Sequence, residues 1–580
     1  MLTQKDLVRD LENRWDTLKA FVIGDPESHW YGTLDPATGK QQDIINLAAC
    51  LYCHSESRWY KKPAMLEVLE KAINYLLRSQ LPSGCISLEN CNIDSPPDTA
   101  FTVHVVSLVY KLVRHVKFQE LVPAERQIEL FLRRSIDGLL HGGFHTPNHR
   151  WVLCGALALL YELFDDKRLK DRAFQFLNEG FDITPDGEWT ERSNGTYNPI
   201  CDLLLYHAGT AFGHEQAFAA IRSNLNMMRY LLHPDNSVAT EYSSRGDRDQ
   251  VVYLNGMYNA IYRLMANRDK NETFHRMAAI ASETVSSVDP ILLLYWMLYP
   301  ADMELNESVG PLADKYTVLL HDNHSVDVPM SINNTGRQEP DLHGASILRH
   351  RRGKLSVTLM AGQQHFMYIQ YGKTRMVAAK LALGWFGIGS VSFPAIRRTG
   401  ENEYELHVEP IGSYGGILTE EQLLANAGNL SHVPYQLREK TNVLVLPIRM
   451  KITIAESAIR LEVSTDAIPH LFAQMLFAFD SKGEIEGSGL RQATPQFYHL
   501  TEGEATYRCG PDRLVVSPGM NEHRFETMRN DKQIEGAIAL GINCVTPLNK
   551  TFQISWGEDG TEEILLTEGA NMPNNEGVGI

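Results

Sequence analysis

The feature that most constrains this chain is a change of hydrophobic period a little past its middle. Up to about residue 305, apolar residues return every three or four positions. PAMLEVLEKAINYLLRS, for example, places Leu66, Leu69, Ile73 and Leu76 close to the helical period. From about residue 312 the period drops to two. In KITIAESAIRLEVSTD, Ile459, Leu461 and Val463 alternate with Arg460, Glu462 and Ser464, as in a strand with one covered face. The two patterns occupy separate blocks, which predicts a multidomain α+β protein. At 580 residues the chain also exceeds what one ordinary core fills.

The helical block reads as a series of helix hairpins. Asp98 is expected to cap one helix, and Gly142 and Gly143 to close the next. Thr146 as N-cap with Pro147 at the first helical position is a strong start signal. Connections are short on one side and longer and polar on the other, and no known repeat pattern is visible. An incomplete (α/α) toroid fits this better than a solenoid, because its longer loops line one rim. KYTVLLHD, HFMYIQYG, NEYELHVEP and TFQISWGED then read as strands of an antiparallel β-sandwich. The expected domains are a toroid over 1–305, a sandwich over 312–567 and a flexible tail over 568–580.

Composition narrows the function classes. A net charge of −17 argues against nucleic acid as a partner, since phosphate binding needs a basic surface. It leaves room for an acidic sugar held by a local cluster. No segment has the length and apolarity to span a bilayer, so no membrane partner is expected. MLTQKDLVRDLENRW lacks the apolar stretch of a signal peptide, from which a cytoplasmic protein is expected. A periplasmic or secreted form with its leader removed would read the same. Cys50 and Cys53 form a CxxC without a second pair at metal-site spacing, so buried thiols are expected there rather than zinc.

Three polar clusters interrupt the helices. Asn148, His149 and Arg150 occupy the first turn of a helix, whose free N–H groups and partial positive charge suit a carboxylate. The bland reading is a cap, a packed ring and a solvated charge. The second cluster holds Asp186, Glu188, Trp189, Glu191, Arg192, Asn194 and Tyr197. Asp186-Gly187 looks like a turn, and Trp189 either stacks on a sugar or covers the core. A phenol has a resting pKa near 10 and becomes a base only beside a cation. The third cluster carries Tyr242, Arg245, Asp247 and Arg248, where arginine forks suit carboxylate or sulfate. In the sandwich block, His324, His343, His350 and His365 are each more readily structural, with His343 on a loop able to reach a cleft.

Asn148-His149 at one helix start and Asp186-Gly187, Glu191 and Tyr197 before another, on helix hairpins followed by a sandwich, resemble the toroid-plus-sandwich polysaccharide lyases. The nearest likeness is to the heparinase II/III-like and oligo-alginate lyase group. The resemblance implies β-elimination at a uronic acid in an oligo- or polysaccharide. Asn148, with His149 or Arg150, would neutralise the carboxylate. Tyr197 would protonate the leaving oxygen, and His149, His343 or Tyr197 itself would be the base. Arg150, Trp189, Glu191, Arg192, Tyr242, Arg245 and Arg248 would bind substrate. No cofactor is required for that chemistry, and no metal is assigned to the site. Two rivals stand beside it. One is a glycoside hydrolase using paired carboxylates from Asp98, Asp186, Glu188 and Glu191. The other is a carbohydrate-binding protein without catalysis.

Overall fold

The computed structural model describes residues 2–284, 290–306, 308–322, 346–425 and 435–558. They form two compact units, Met1–Gln370 with Ser392–Arg397, and Tyr371–Val391 with Arg398–Ile580. The expected tail over 568–580 lies outside the described residues.

The first unit begins with α1 (Gln4–Leu18), α2 (Gln41–Cys53), α3 (Pro63–Ser79), α4 (Pro96–Val116), α5 (Val122–His141) and α6 (Pro147–Phe164). It continues with α7 (Lys167–Asn178), α8 (Asn198–Phe212), α9 (Glu215–Met228), α10 (Gly256–Asp269), α11 (Glu272–Thr284) and α12 (Pro290–Leu298). Successive helices pair as hairpins, α2 with α3 through α10 with α11. The even-numbered helices also pack on one another in sequence, and α12 returns to α2 and α4. This is the toroid. Its two layers differ as burial demands. Outer α7 covers only Leu169, Ala173, Phe176 and Leu177, one stripe at helical spacing. Inner α6 is buried almost all round from Pro147 to Leu160. Inner helices approach closely: a Cβ on Gly155 of α6 would stand 2.6 Å from the Leu204 carbonyl of α8.

One polar group inside the ring shows how burial is met by pairing. The Tyr295 hydroxyl lies 3.0 Å from His104 Nε2 and 2.5 Å from His207 Nε2, and burial pushes the His104 pKa down to about 3. Thr146 caps α6 with Pro147 at its first position, and Gly142 closes α5. The α4 expectation is corrected by one turn: Ser95 is the cap and Asp98 sits at the third helical position, receiving the Ser95 hydroxyl at 2.6 Å. The loop before α4 also holds two short paired strands, β1 (Ile86–Leu88) and β2 (Asn92–Ser95). No helix among the described residues is long and apolar enough to cross a membrane.

Three antiparallel strands follow in the first unit: β3 (Lys315–Leu320), β4 (Ile347–Arg352) and β5 (Leu355–Met360). In the second unit, seven strands lie side by side and antiparallel. In spatial order they are Glu484–Glu486, Ala505–Cys509, Asp512–Ser517, Asn549–Glu558, Ala458–Thr465, Ile448–Ile454 and Glu403–Val408. Leu461 stands opposite Ile452 and Val463 opposite Met450, all four on the buried face. A second layer contains Leu490–Thr494, Phe497–Leu500, Ile538–Val545, Phe472–Phe479 and Thr374–Leu383. Within it, Phe497–Leu500 runs parallel to Ile538–Val545, a departure from a purely antiparallel sandwich. The layers meet through aromatics: Phe479 stacks on Tyr507 with ring centroids 4.7 Å apart.

Candidate active site

The site is assembled in the first unit where α6 starts, where the loop before α8 ends, and where the loop before α10 folds back. Pro147 and the Thr146 cap start α6 abruptly and leave its first backbone N–H groups without helical acceptors. The Asn148 N–H donates to Glu191 Oε2 at 2.8 Å, an anion held at a helix N-terminus. The Asn148 side chain is fully buried, with Nδ2 3.0 Å from Thr146 Oγ1 and Oδ1 without a partner. A hydroxyl can donate or accept, so Thr146 serves one amide atom whichever way the amide is turned, and the other is enclosed without a protein partner.

His149 lies next to it, its ring edge-on to Phe101 at 6.0 Å and to His145 at 4.8 Å. Its Nδ1 is buried and has no hydrogen-bond partner. Burial above all, with His145 beside it, pushes the His149 pKa down to about 4, against the pull of Asp98. The ring is therefore neutral near pH 7.

The loop before α8 is built on a tight turn. Ile183 bridges to Trp189, and Gly187 takes a φ of +100°, where a Cβ would collide with the Ser223 carbonyl. This returns the chain so that Glu191, almost wholly buried, faces α6. Burial raises the Glu191 pKa, while Arg245 and the Asn148 contacts oppose the rise. Arg245 Nη1 lies 2.7 Å from Glu191 Oε1, and its guanidinium sits over the Tyr197 ring at 4.8 Å. Asp247 ties the two loops together, accepting from the Ser193 hydroxyl at 2.7 Å, the Gly195 N–H at 2.9 Å and the Ser243 hydroxyl at 3.0 Å. Asn148, Glu191, Arg245 and Tyr197 thus form one continuous group, with His149 beside Asn148.

Other sequence candidates lie elsewhere. Arg150 is directed into the protein, pairing with Asp182 at 2.8 Å and Glu179 at 3.2 Å and lying over Trp151. Only 9% of its side chain is exposed, and its charge is met by these carboxylates. Trp189 is fully buried and donates to Asp202 Oδ1 at 2.9 Å, so neither face of its indole is open to a sugar. Tyr242 is equally enclosed, and burial raises its pKa. Arg192 pairs with Glu188 at 3.2 Å, and Arg248 with Asp249 at 3.6 Å. His343 and His324 lie outside the described residues. His350 Nδ1 meets Thr317 Oγ1 at 2.8 Å, and His365 Nε2 meets the Glu241 carbonyl at 3.1 Å.

The sequence reading passed over a buried charge cluster behind the third loop. Glu241 lies 3.5 Å from His233 Nε2 and 3.6 Å from Arg349 Nη1, and also accepts from Thr358. Burial pushes its pKa up, but His233, Arg349 and Thr358 outweigh that and hold it at about 2. Arg349 also reaches the Tyr230 and Leu232 carbonyls. This cluster fastens β4 and β5 to the segment that carries Arg245. Arg349 and Thr358 lie more than a hundred residues from His233 and Glu241 and share no motif with them, so only the fold could reveal the cluster. Lys40, Asp98 and Phe101 were likewise invisible as neighbours of His149.

No family model matches the chain, and no curated protein does. Solved structures do. A mutant chondroitin AC lyase of Streptomyces coelicolor A3 is similar with a TM-score of 0.52 at 12% identity, over 95% of this chain and 79% of that one. A mutant heparan sulfate lyase of Pedobacter heparinus gives 0.53 at 11% identity, over 96% and 84%. A Paenibacillus xanthan lyase gives 0.53 at 9% identity, over 96% of this chain but only 57% of that one. At such identities the likeness establishes the fold: a helical toroid followed by a β-sandwich, the fold of polysaccharide lyases.

Proposed function

We propose that this chain, built on the polysaccharide lyase fold, cleaves a glycosidic bond beside a uronic acid by β-elimination. The observation that carries the reading is the continuous group of Asn148, Glu191, Arg245 and Tyr197, with neutral His149 at its edge. A uronate carboxylate docks at the start of α6, where the Asn148 amide, enclosed in the free protein, turns to meet it. Hydrogen bonding and partial neutralisation there make the C5 proton more acidic. His149, neutral and partly exposed, takes that proton on its accessible ring nitrogen. The approaching carboxylate raises its affinity for the proton by opposite charge. The C5–H electron pair becomes the C4–C5 double bond, and the C4–O bond breaks. The leaving oxygen takes its proton from the Tyr197 hydroxyl. Arg245, held by Glu191, keeps the Tyr197 ring in place and balances negative charge as it develops. Proton transfers by positioned groups contribute about 10²–10⁴-fold, and stabilising the enolate-like charge is the larger part.

The named activities of the similar structures support a polysaccharide substrate; the acidic sugar is our reading of the amide, the imidazole and the helix start gathered here, with the Arg245 guanidinium already paired to Glu191. Glycoside hydrolysis is the less favoured reading, because Glu191, the most central carboxylate, is occupied by Arg245 and the Asn148 N–H. The test is ultraviolet absorbance during incubation with uronate-containing oligosaccharides. Elimination creates a double bond conjugated to the carboxylate, which absorbs. New reducing ends without absorbance would replace this reading with hydrolysis.

A further inference from the structure

Reversal at each hairpin makes the even-numbered inner helices run the same way, so α2, α4, α6 and α8 start on one rim of the toroid. The proposed reaction uses the starts of α6 and α8. The starts of α4 and α2 lie next along that rim. Here α4 packs on α6 and α2 on α4, and the Thr102 hydroxyl near the start of α4 donates to Gln42 Oε1 at the start of α2, 3.4 Å away. Between them opens a cleft of about 260 Å³, lined by Lys40, Gln42, Leu88, Asp98, Phe101 and Thr102. Pockets for drug-sized ligands run from about 300 to 1,000 Å³, so this one has room for about one sugar ring.

Phe101 joins this cleft to the candidate site. Its ring stands at 85° to the His149 ring with centroids 6.0 Å apart, and the Lys40 ammonium lies 5.5 Å from its centroid. A cation over a ring at an exposed site gains about 0.5–1 kcal/mol, which steadies the lysine without neutralising it. Among the described residues no carboxylate pairs with the Lys40 ammonium. Arg150, Arg192 and Arg245, the other cations named around the site, each have one. Asp43, three residues on, accepts instead from the Lys40 backbone N–H at 3.4 Å. Asp98, on the α4 wall, receives the Ser95 hydroxyl and Asn92 Nδ2 at Oδ2, which leaves Oδ1 to accept from a sugar hydroxyl.

We propose that this cleft is a second sugar subsite, in which Lys40 takes an anionic substituent, a carboxylate or a sulfate, on the sugar beside the uronate held at the start of α6. The proposal rests on the lyase reading above. A lysine ammonium is a compact point charge that suits either anion, whereas an arginine fork favours planar, bidentate pairing. The saccharide then runs along the rim, across the starts of α6, α4 and α2, with the uronate beside His149 and its neighbour over Phe101. Lys40 is a specificity-determining residue in this arrangement. It distinguishes a chain with an acidic group on the neighbouring sugar from one in which that sugar is neutral.

The test is titration calorimetry of the full chain carrying Tyr197→Phe, to slow turnover, with Lys40 intact or replaced as Lys40→Met or Lys40→Arg. Three tetrasaccharides are the probes: an oligouronate with a carboxylate on every sugar, an unsulfated alternating uronate–hexosamine, and the same chain with its hexosamine sulfated. Lys40→Met is expected to weaken the oligouronate or the sulfated probe about 10-fold, the low end for losing a charged hydrogen bond. The unsulfated alternating probe should be almost unaffected, and Lys40→Arg should restore most of the loss. Which probe responds identifies the substituent. Lys40 is exposed, so the melting temperature should not change. Equal losses on all three probes, no loss on any, or no binding of any would overturn the subsite. The lyase reading fails separately: a wild type that produces no ultraviolet absorbance from any probe, while Lys40-dependent binding persists, would refute elimination and keep the cleft.

Discussion

Glu191 and Arg245 are expected to be energetically coupled, and a double-mutant cycle measures by how much. Their charged atoms are 2.7 Å apart; Glu191 is 1% exposed and the Arg245 side chain 30%. Fully buried pairs lose about 3–5 kcal/mol when one partner is removed, and exposed pairs are worth about 0.2–1 kcal/mol. With one partner enclosed and the other partly wet, a coupling of about 2 kcal/mol follows. Glu191→Gln keeps an acceptor for the Asn148 N–H but weakens that bond from charged to neutral, about 1 kcal/mol more. Burial already penalises the Glu191 charge and the neutral amide escapes that penalty, so the single substitution is expected to cost less than the sum of these two losses. Arg245→Met leaves the Glu191 carboxylate buried beside no cation. Its loss depends on pH. Burial already raises the Glu191 pKa, and without Arg245 it rises further above the unfolded value. The protonated form then folds well and the ionised form does not, so stability is kept at low pH and lost as pH rises through the folded pKa. The Arg245→Met deficit should accordingly be smaller at pH 5 than at pH 8. Urea unfolding of the two single variants and the double variant gives the coupling directly. Additivity within about 0.5 kcal/mol, or an Arg245→Met deficit unchanged between the two pH values, would refute the assigned pairing.

Tyr197→Phe should lower turnover by about 10²–10⁴-fold while leaving the melting temperature within a degree or two, because only the hydroxyl is removed; near-normal turnover would take Tyr197 out of the chemistry. The acid limb of kcat/KM should fall near pH 4, the value to which burial lowers His149: activity is present while the ring is neutral and is lost as pH drops through that pKa. An acid limb near 6.5 would mean another base. Trp189→Phe removes the donor to Asp202, a wholly buried carboxyl whose pKa burial raises well above the usual range. It should cost about 1–3 kcal/mol in urea unfolding and leave KM unchanged, whereas a rise in KM alone would restore Trp189 to the substrate cleft.

By itself, the sequence determined the order of the layers and the starts of key helices. Period and turn chemistry are local properties, so the helical block, the alternating strand around Leu461, the Thr146-Pro147 start and the Asp186-Gly187 turn could all be read from neighbours along the chain. It also brought forward Asn148, His149, Glu191, Arg245 and Tyr197, since polar residues crowded at helix starts stand out against bland connections. Only the tertiary structure decided which of those residues share a site. Arg150 and Arg245 look alike in sequence, but a buried Asp182 faces one and Glu191 with the Tyr197 ring faces the other. Trp189 reads as a possible sugar platform and Tyr242 as a substrate contact until the packing around them encloses both. The Glu241 cluster needs His233 and Arg349, more than a hundred residues apart, to meet in a medium where an unpaired charge is costly. Burial and pairing are properties of the folded neighbourhood, and no spacing along the chain encodes them.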